Sequence, residues 1–162
     1  MKISYGITVH NEADELNKLL EILIHKIDVE DEIIICVDGE DDGVRFVLDS
    51  WTQQYAHTKT IKIYQRKLDG DFAAQKNSVI ENSVGDYIFH IDADQARLFR
   101  NDESIRWERP LHELITGCKT YSHLPPHEEL SLYHPKTIEK QEEQNLFYNE
   151  NFSREMNVRK GR

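Results

Sequence analysis

A chain of 162 residues, 38% hydrophobic and 31% charged, is sized for one soluble globular domain whose core needs neither disulfides nor a structural metal. A formal charge of −10 and an isoelectric point near 5.2 argue against a nucleic-acid binder, which carries a basic face, and against docking on anionic lipid. An acidic protein that binds a phosphate compound needs a local cation, from metal, lysine or arginine.

The first ninety-odd residues alternate strand and helix patterns. ISYGITV (3–9) is a β-rich run. NEADELNKLLEILIHKI (11–27) follows, with Leu16, Leu19, Leu20, Leu23 and Ile27 on the stripe of an amphipathic helix, Asn11 as its expected N-cap and an acidic first turn. EIIICVD (32–38) is an apolar strand bounded by acids, and GVRFVLDSWTQQY (43–55) is helical through Val44, Val47, Leu48 and Trp51. TIKIYQR (60–66) alternates as a strand, DFAAQKNSVIENS (71–83) is helical, and DYIFHID (86–92) is the fourth strand. Apolar strands separated by helices predict an α/β fold with a mostly parallel sheet covered on both faces. Ligands of such sheets bind at the carboxyl ends of the strands. These end in VHNE, VDGE, QRKLDGD and IDAD, which gathers acids and a histidine on one edge.

Beyond Asp94 the pattern changes. ARLFR and SIRWERP read as short strands, a hairpin around NDE, and LHELITGCKTYSHL as one or two more strands interrupted at Gly117. PPHEELSLYH is a turn and loop. A helix with Pro135 near its first position is expected over 135–156, before a basic tail expected to fray. One domain is expected, with an alternating α/β half (1–95), a mixed β extension (96–134) and the C-terminal helix. Cys36 and Cys118 make no CxxC pattern and read as reduced, buried thiols in the cytoplasm. The amino-terminal apolar run is too short for a secretion signal, and IIICV, the longest uninterrupted apolar run, is too short for a transmembrane segment.

Asp92 and Asp94 hold the sharpest chemical question. Side chains two apart on a strand point the same way, with Cα atoms roughly 7 Å apart. Two such carboxylates at the end of a buried strand repel each other unless a cation sits beside them. A Mn²⁺ or Mg²⁺ ion needs only one or two protein carboxylates when diphosphate oxygens and water complete its shell. A solvated turn with an Asp cap is the plain alternative.

ISYGITVHNEADELNKLLE, DEIIICVDGEDD and DGDFAAQKNSVIENSVGDYIFHIDADQ, in this order over residues 2–95, resemble glycosyltransferase family 2, whose members have the GT-A fold. The sub-type is similar to lipopolysaccharide-core and phage-borne enzymes, which points to a bacterial or phage-infected cytoplasm. The resemblance implies that 1–95 is the nucleotide-sugar-binding half and 96–134 a shortened acceptor and metal-completing part, that His10, Asn11 and Glu12 face the base and ribose, that Asp38 bonds the base, and that Gln75, Lys76 and Asn77 lie near the sugar diphosphate. It also implies Asp92 toward the ribose and metal, Asp94 as metal ligand, His112 completing the metal shell and Glu113 as candidate base or acceptor contact.

The sequence departs from the family after Gln95, where ARLFRNDESIRWERPLHE follows at once in place of a substantial segment. That segment normally supplies much of the acceptor pocket. The implied function is metal-dependent transfer of a sugar, with inversion, from a nucleotide-diphospho-sugar (a UDP-sugar foremost) to a glycan, lipid-linked or protein hydroxyl. The alternative is a non-catalytic nucleotide-sugar-binding module. A shortened sheet edge also favours homo-oligomer formation.

Overall fold

The computed structural model describes residues 1–92 and 96–122, with six more at 138–139, 142–143 and 145–146. The chain divides into two compact units, Met1–His123 and Leu124–Arg162. In the second, the six described residues are helical. The PPHEELSLYH turn, the basic tail and the rest of the 135–156 helix lie outside the described residues.

The first unit follows the alternation in the sequence: β1 (Ile3–Val9), α1 (Ala13–Lys26), β2 (Glu32–Val37), α2 (Asp42–Tyr55), β3 (Thr60–Gln65), α3 (Phe72–Glu81) and β4 (Tyr87–Ile91). Three short strands come next: β5 (Ala96–Arg100), β6 (Arg106–Glu108) and β7 (Leu114–Thr116). The main sheet runs β3-β2-β1-β4-β5, its first four strands parallel and β5 antiparallel on β4, while β6 and β7 pair separately. This is the expected α/β, mostly parallel architecture. The hairpin expected around NDE does not form, because β5 finds its partner in β4 and β6 finds its partner in β7.

Period-two alternation sorts the core into two layers. On β2, Ile33, Ile35 and Val37 pack with Leu16, Leu20, Leu23, Val44 and Leu48 of α1 and α2. Ile34 and Cys36 turn to the opposite face and meet Val79 of α3. Gly6 permits that approach, since a Cβ there would come within 2.5 Å of the Val79 Cγ1. A third cluster, Ala73, Ile80, Ile88, Phe99, Ile105 and Trp107, fastens α3 to β4, β5 and β6.

Two local expectations are corrected. Glu12, not Asn11, precedes the first turn of α1. Its carboxylate turns back to accept from the His10 and Asn11 N–H groups, at 2.9 and 3.1 Å. Cys36 is buried but Cys118 is exposed, since it follows the Gly117 turn beyond the last short strand instead of lying inside one.

Candidate functional site at the carboxyl edge of the sheet

The chain leaves β1 for β2 and β3 on one side and returns to β4 on the other. The carboxyl ends of β1 and β4 are therefore a topological switch point, where open sheets of this kind leave a crevice. Register brings His10, Asp38, Arg66 and Asp92 to that edge, because Val9 pairs with Val37, Val37 with Gln65, and Ile7 with Ile91. The ladder runs on past the strands through Asp38 N to Val9 O (2.8 Å) and Arg66 N to Val37 O (3.0 Å).

Ile88, His90 and Asp92 share the face of β4 that α3 covers. The Lys76 ammonium donates to Asp92 Oδ2 at 2.6 Å, lies 3.4 Å from Glu113 Oε1, and stands 4.4 Å from the centre of the Trp107 ring. All three charged side chains are largely shielded, with Lys76 at 7% exposure. His90 is 1% exposed and packs edge-on against Trp107. Its Nε2 is 3.7 Å from Asp92 Oδ1, beyond hydrogen-bond reach, and neither ring nitrogen has a partner among the described residues. Burial alone would raise the pKa of Asp92, but the His90 imidazole and the Lys76 ammonium outweigh it and hold the carboxyl below its ordinary value. Beside His90, one ammonium faces two carboxylates here.

The neighbours of Lys76 on α3 are engaged by Arg66 and by the Trp107 backbone. Gln75 Nε2 donates to Arg66 O at 2.9 Å while Gln75 Oε1 accepts from Arg66 Nη1 at 2.8 Å. Asn77 Nδ2 donates to Trp107 O and its Oδ1 accepts from Trp107 N, both at 2.8 Å. On the other flank, His10 Nδ1 contacts the Asp38 carbonyl at 2.9 Å and lies 3.3 Å from Asp38 Oδ2, while Asp38 Oδ1 accepts from Leu68 N at 2.9 Å. An open cleft of about 370 Å³ lies beside them, lined by Val37, Asp38, Gly39, Glu40, Gln65, Arg66 and Lys67. Gly39, at φ +83, lets the chain turn there under the His10 ring.

Of the residues expected from the sequence, Lys76, Asp92 and Glu113 meet in one cluster, and His10, Glu12 and Asp38 form a second at the end of β1. Asn11 is exposed. His112 is exposed as well, in a left-handed conformation at φ +55. Asp94 lies outside the described residues. Among those described, no three His, Cys, Asp or Glu side chains converge as a metal cage. The donor chemistry nonetheless suits a hard divalent ion: Asp92 Oδ1 is not spent on Lys76, and the Glu113 carboxylate lies on the same ammonium. Sequence reasoning missed His90 and Arg66. The first was legible as the residue two before Asp92 on the same strand face, the second as the position closing TIKIYQR.

The family model described as glycosyl transferase family 2 matches residues 4–98, and the chain belongs to that family. No curated protein matches it. Among solved structures it is similar to S. aureus TarS 1-349, with 19% identity and a TM-score of 0.46 over 57% of this chain and 27% of that one. It is also similar to the mannosyltransferase PcManGT from Pyrobaculum calidifontis, in complex with GDP-Man and Mn2+, with 15% identity and a TM-score of 0.44 over 54% and 26% of the two chains. The chain thus spans about a quarter of the length of these two solved structures. No helix among the described residues is long and apolar enough to cross a membrane.

Proposed function

We propose that the chain binds a nucleotide-diphospho-sugar at the carboxyl edge of its sheet and transfers the sugar to a hydroxyl acceptor. The observation that carries this reading is the cluster of Lys76, Asp92 and Glu113 at the switch point, tied through adjacent residues of α3 to the open cleft beside Asp38 and Arg66. The nucleoside occupies the cleft, with Asp38 on its wall, His10 and Glu12 beside it at the end of β1, and a UDP-sugar as first choice of donor. Lys76 supplies positive charge toward the diphosphate side. Asp94 and Asp92, with His112, would hold Mn²⁺ or Mg²⁺, which when bound neutralises charge on the leaving diphosphate. Glu113 takes the proton as the acceptor oxygen attacks the anomeric carbon and the bond to the diphosphate breaks, a single displacement with inversion.

The engagement of Asp92 and Glu113 by one ammonium favours a second reading, in which the site holds a nucleotide sugar without turning it over. A thermal-shift panel of UDP- and GDP-sugars, with and without Mn²⁺, followed by a nucleotide-release assay with acceptors, separates the two. Metal-dependent stabilisation plus release supports transfer, stabilisation without release supports the binding module, and no stabilisation by any nucleotide overturns both.

A further inference from the structure

The side-chain amide of Asn77 behaves like a missing strand. Along a strand, a residue's own N–H and C=O point to the same side, and those of Trp107 point away from β7 and onto Asn77. Trp107 faces Ile115 in the β6–β7 register, while its N–H and C=O are both taken by the Asn77 amide. Buried backbone polar groups must be paired, and Asn77 pairs both. The consequence runs along the chain. β6 fixes β7 through their mutual pairing, and Glu113 stands one residue before β7 begins. Lys76, which faces Glu113 at 3.4 Å, is the neighbour of Asn77 on α3. A second tie, Phe72 N to Pro110 O at 3.0 Å, holds the same connection to the start of α3.

We propose that Asn77 is a positioning residue for the transfer: it touches neither donor nor acceptor, and it docks the β6–β7 pair so that Glu113 stands against Lys76. Gln75 is its counterpart for the nucleoside cleft, its amide donating to the Arg66 carbonyl and accepting from the Arg66 guanidinium. This rests on the transfer reading above, and it predicts that two residues on one turn of helix act on different kinetic constants.

The test uses the full chain as wild type, Asn77→Ala, Asn77→Asp and Gln75→Ala. Calorimetry measures affinity for UDP with Mn²⁺, nucleotide release gives kcat and KM on the donor found in the panel, and hydrogen exchange follows the amides of residues 106–116. In Asn77→Ala the exchange of these amides should rise about thirtyfold, the equivalent of two lost hydrogen bonds. UDP affinity should stay within about twofold while kcat falls about 100-fold, the cost of a roughly 1 Å misplacement. Asn77→Asp keeps an acceptor for the Trp107 N–H but sets a second oxygen against the Trp107 carbonyl, so kcat should fall there too. Gln75→Ala should weaken UDP and raise KM, with exchange at 106–116 unchanged. Unaltered exchange in Asn77→Ala, a wild-type kcat in Asn77→Asp, or parallel loss of UDP affinity and kcat overturns the role. A wild-type chain that binds no nucleotide overturns the transfer reading and this role with it; nucleotide binding with any of the preceding results overturns this role alone.

Discussion

The two edges of the sheet each hold a buried carboxylate beside lysine, and they use it in opposite ways. At the amino edge Glu32 is fully buried, accepts from Ser4 Oγ and Val84 N at 2.6 Å each, and faces Lys62 at 2.9 Å and Lys2 at 3.6 Å. These donors come from β1, from β3, from the approach to β4 and from the chain just before β1, so one acid fastens four strand starts. At the carboxyl edge the count inverts, with two carboxylates to one lysine, an exposed His10 and an open cleft. A buried ion pair is therefore no signal of function by itself. The signal is charge left unanswered beside space.

The sharpest way to break this comparison is to remove the acid at each edge. Glu32→Ala deletes both short hydrogen bonds and leaves two lysines facing each other. The lysines sit at the rim and can rehydrate, so the loss should be about 3 kcal/mol, or roughly 10 °C in Tm. Nucleotide affinity in the folded fraction should not change. Asp92→Ala should do the reverse and weaken UDP binding in Mn²⁺ about 100-fold, the equivalent of ~2.7 kcal/mol, with a smaller change in Tm. Calorimetry and thermal melts on the two variants check the crossing. If Glu32→Ala lost affinity as strongly as Asp92→Ala, the edges would not be distinct in role.

How much of this the sequence made legible follows the same division. The four parallel strands and three helices were readable because apolar spacing is set by local geometry, and helix stripes such as Leu16, Leu20 and Leu23 bury as their periodicity demands. Asp92, Lys76 and Glu113 came from resemblance to the family, and the geometry puts them in contact. Glu32 was invisible: a strand-leading glutamate reads as a boundary, and its burial depends on Lys62 and Val84, which lie 30 and 52 positions on. Gln75 and Asn77 were named by the resemblance, but their contacts were not legible: Gln75 holds the Arg66 carbonyl and guanidinium, and Asn77 the Trp107 N–H and C=O. The pairing of β5 with β4 instead of β6 was likewise a tertiary choice between competing edges.

A smaller effect sharpens the carboxyl edge from its far side. Gly117 has φ +81, and a Cβ there would lie 1.9 Å from the Ser104 carbonyl oxygen. Gly117→Ala should cost about 2 kcal/mol from the left-handed backbone and the clash, concentrated in β6 and β7. Nucleotide release should fall with it while UDP affinity holds. Loss of UDP affinity would mean that the cleft and the short sheet are not separable.

The smallest effect is the pH dependence of stability, and here the edges should behave alike. Burial would raise the pKa of Glu32, but Ser4, the Val84 N–H and Lys62 outweigh it and hold the carboxyl below its ordinary 4.5. Asp92 is held below its ordinary 3.8. A carboxylate depressed in the folded state stabilises the fold at and above its unfolded value, and the contribution disappears as pH falls through the folded one. Tm should therefore be flat with respect to these two groups above about pH 5 and decline on acidification. Glu32→Gln should flatten the first part of that decline, where the unfolded chain begins to take up its proton near 4.5. Asp92→Asn should act later, from near 3.8. Melts from pH 3 to 7 on wild type and both variants would show the order, and a variant whose acid limb matched wild type would mean that its carboxylate is solvated in the folded chain.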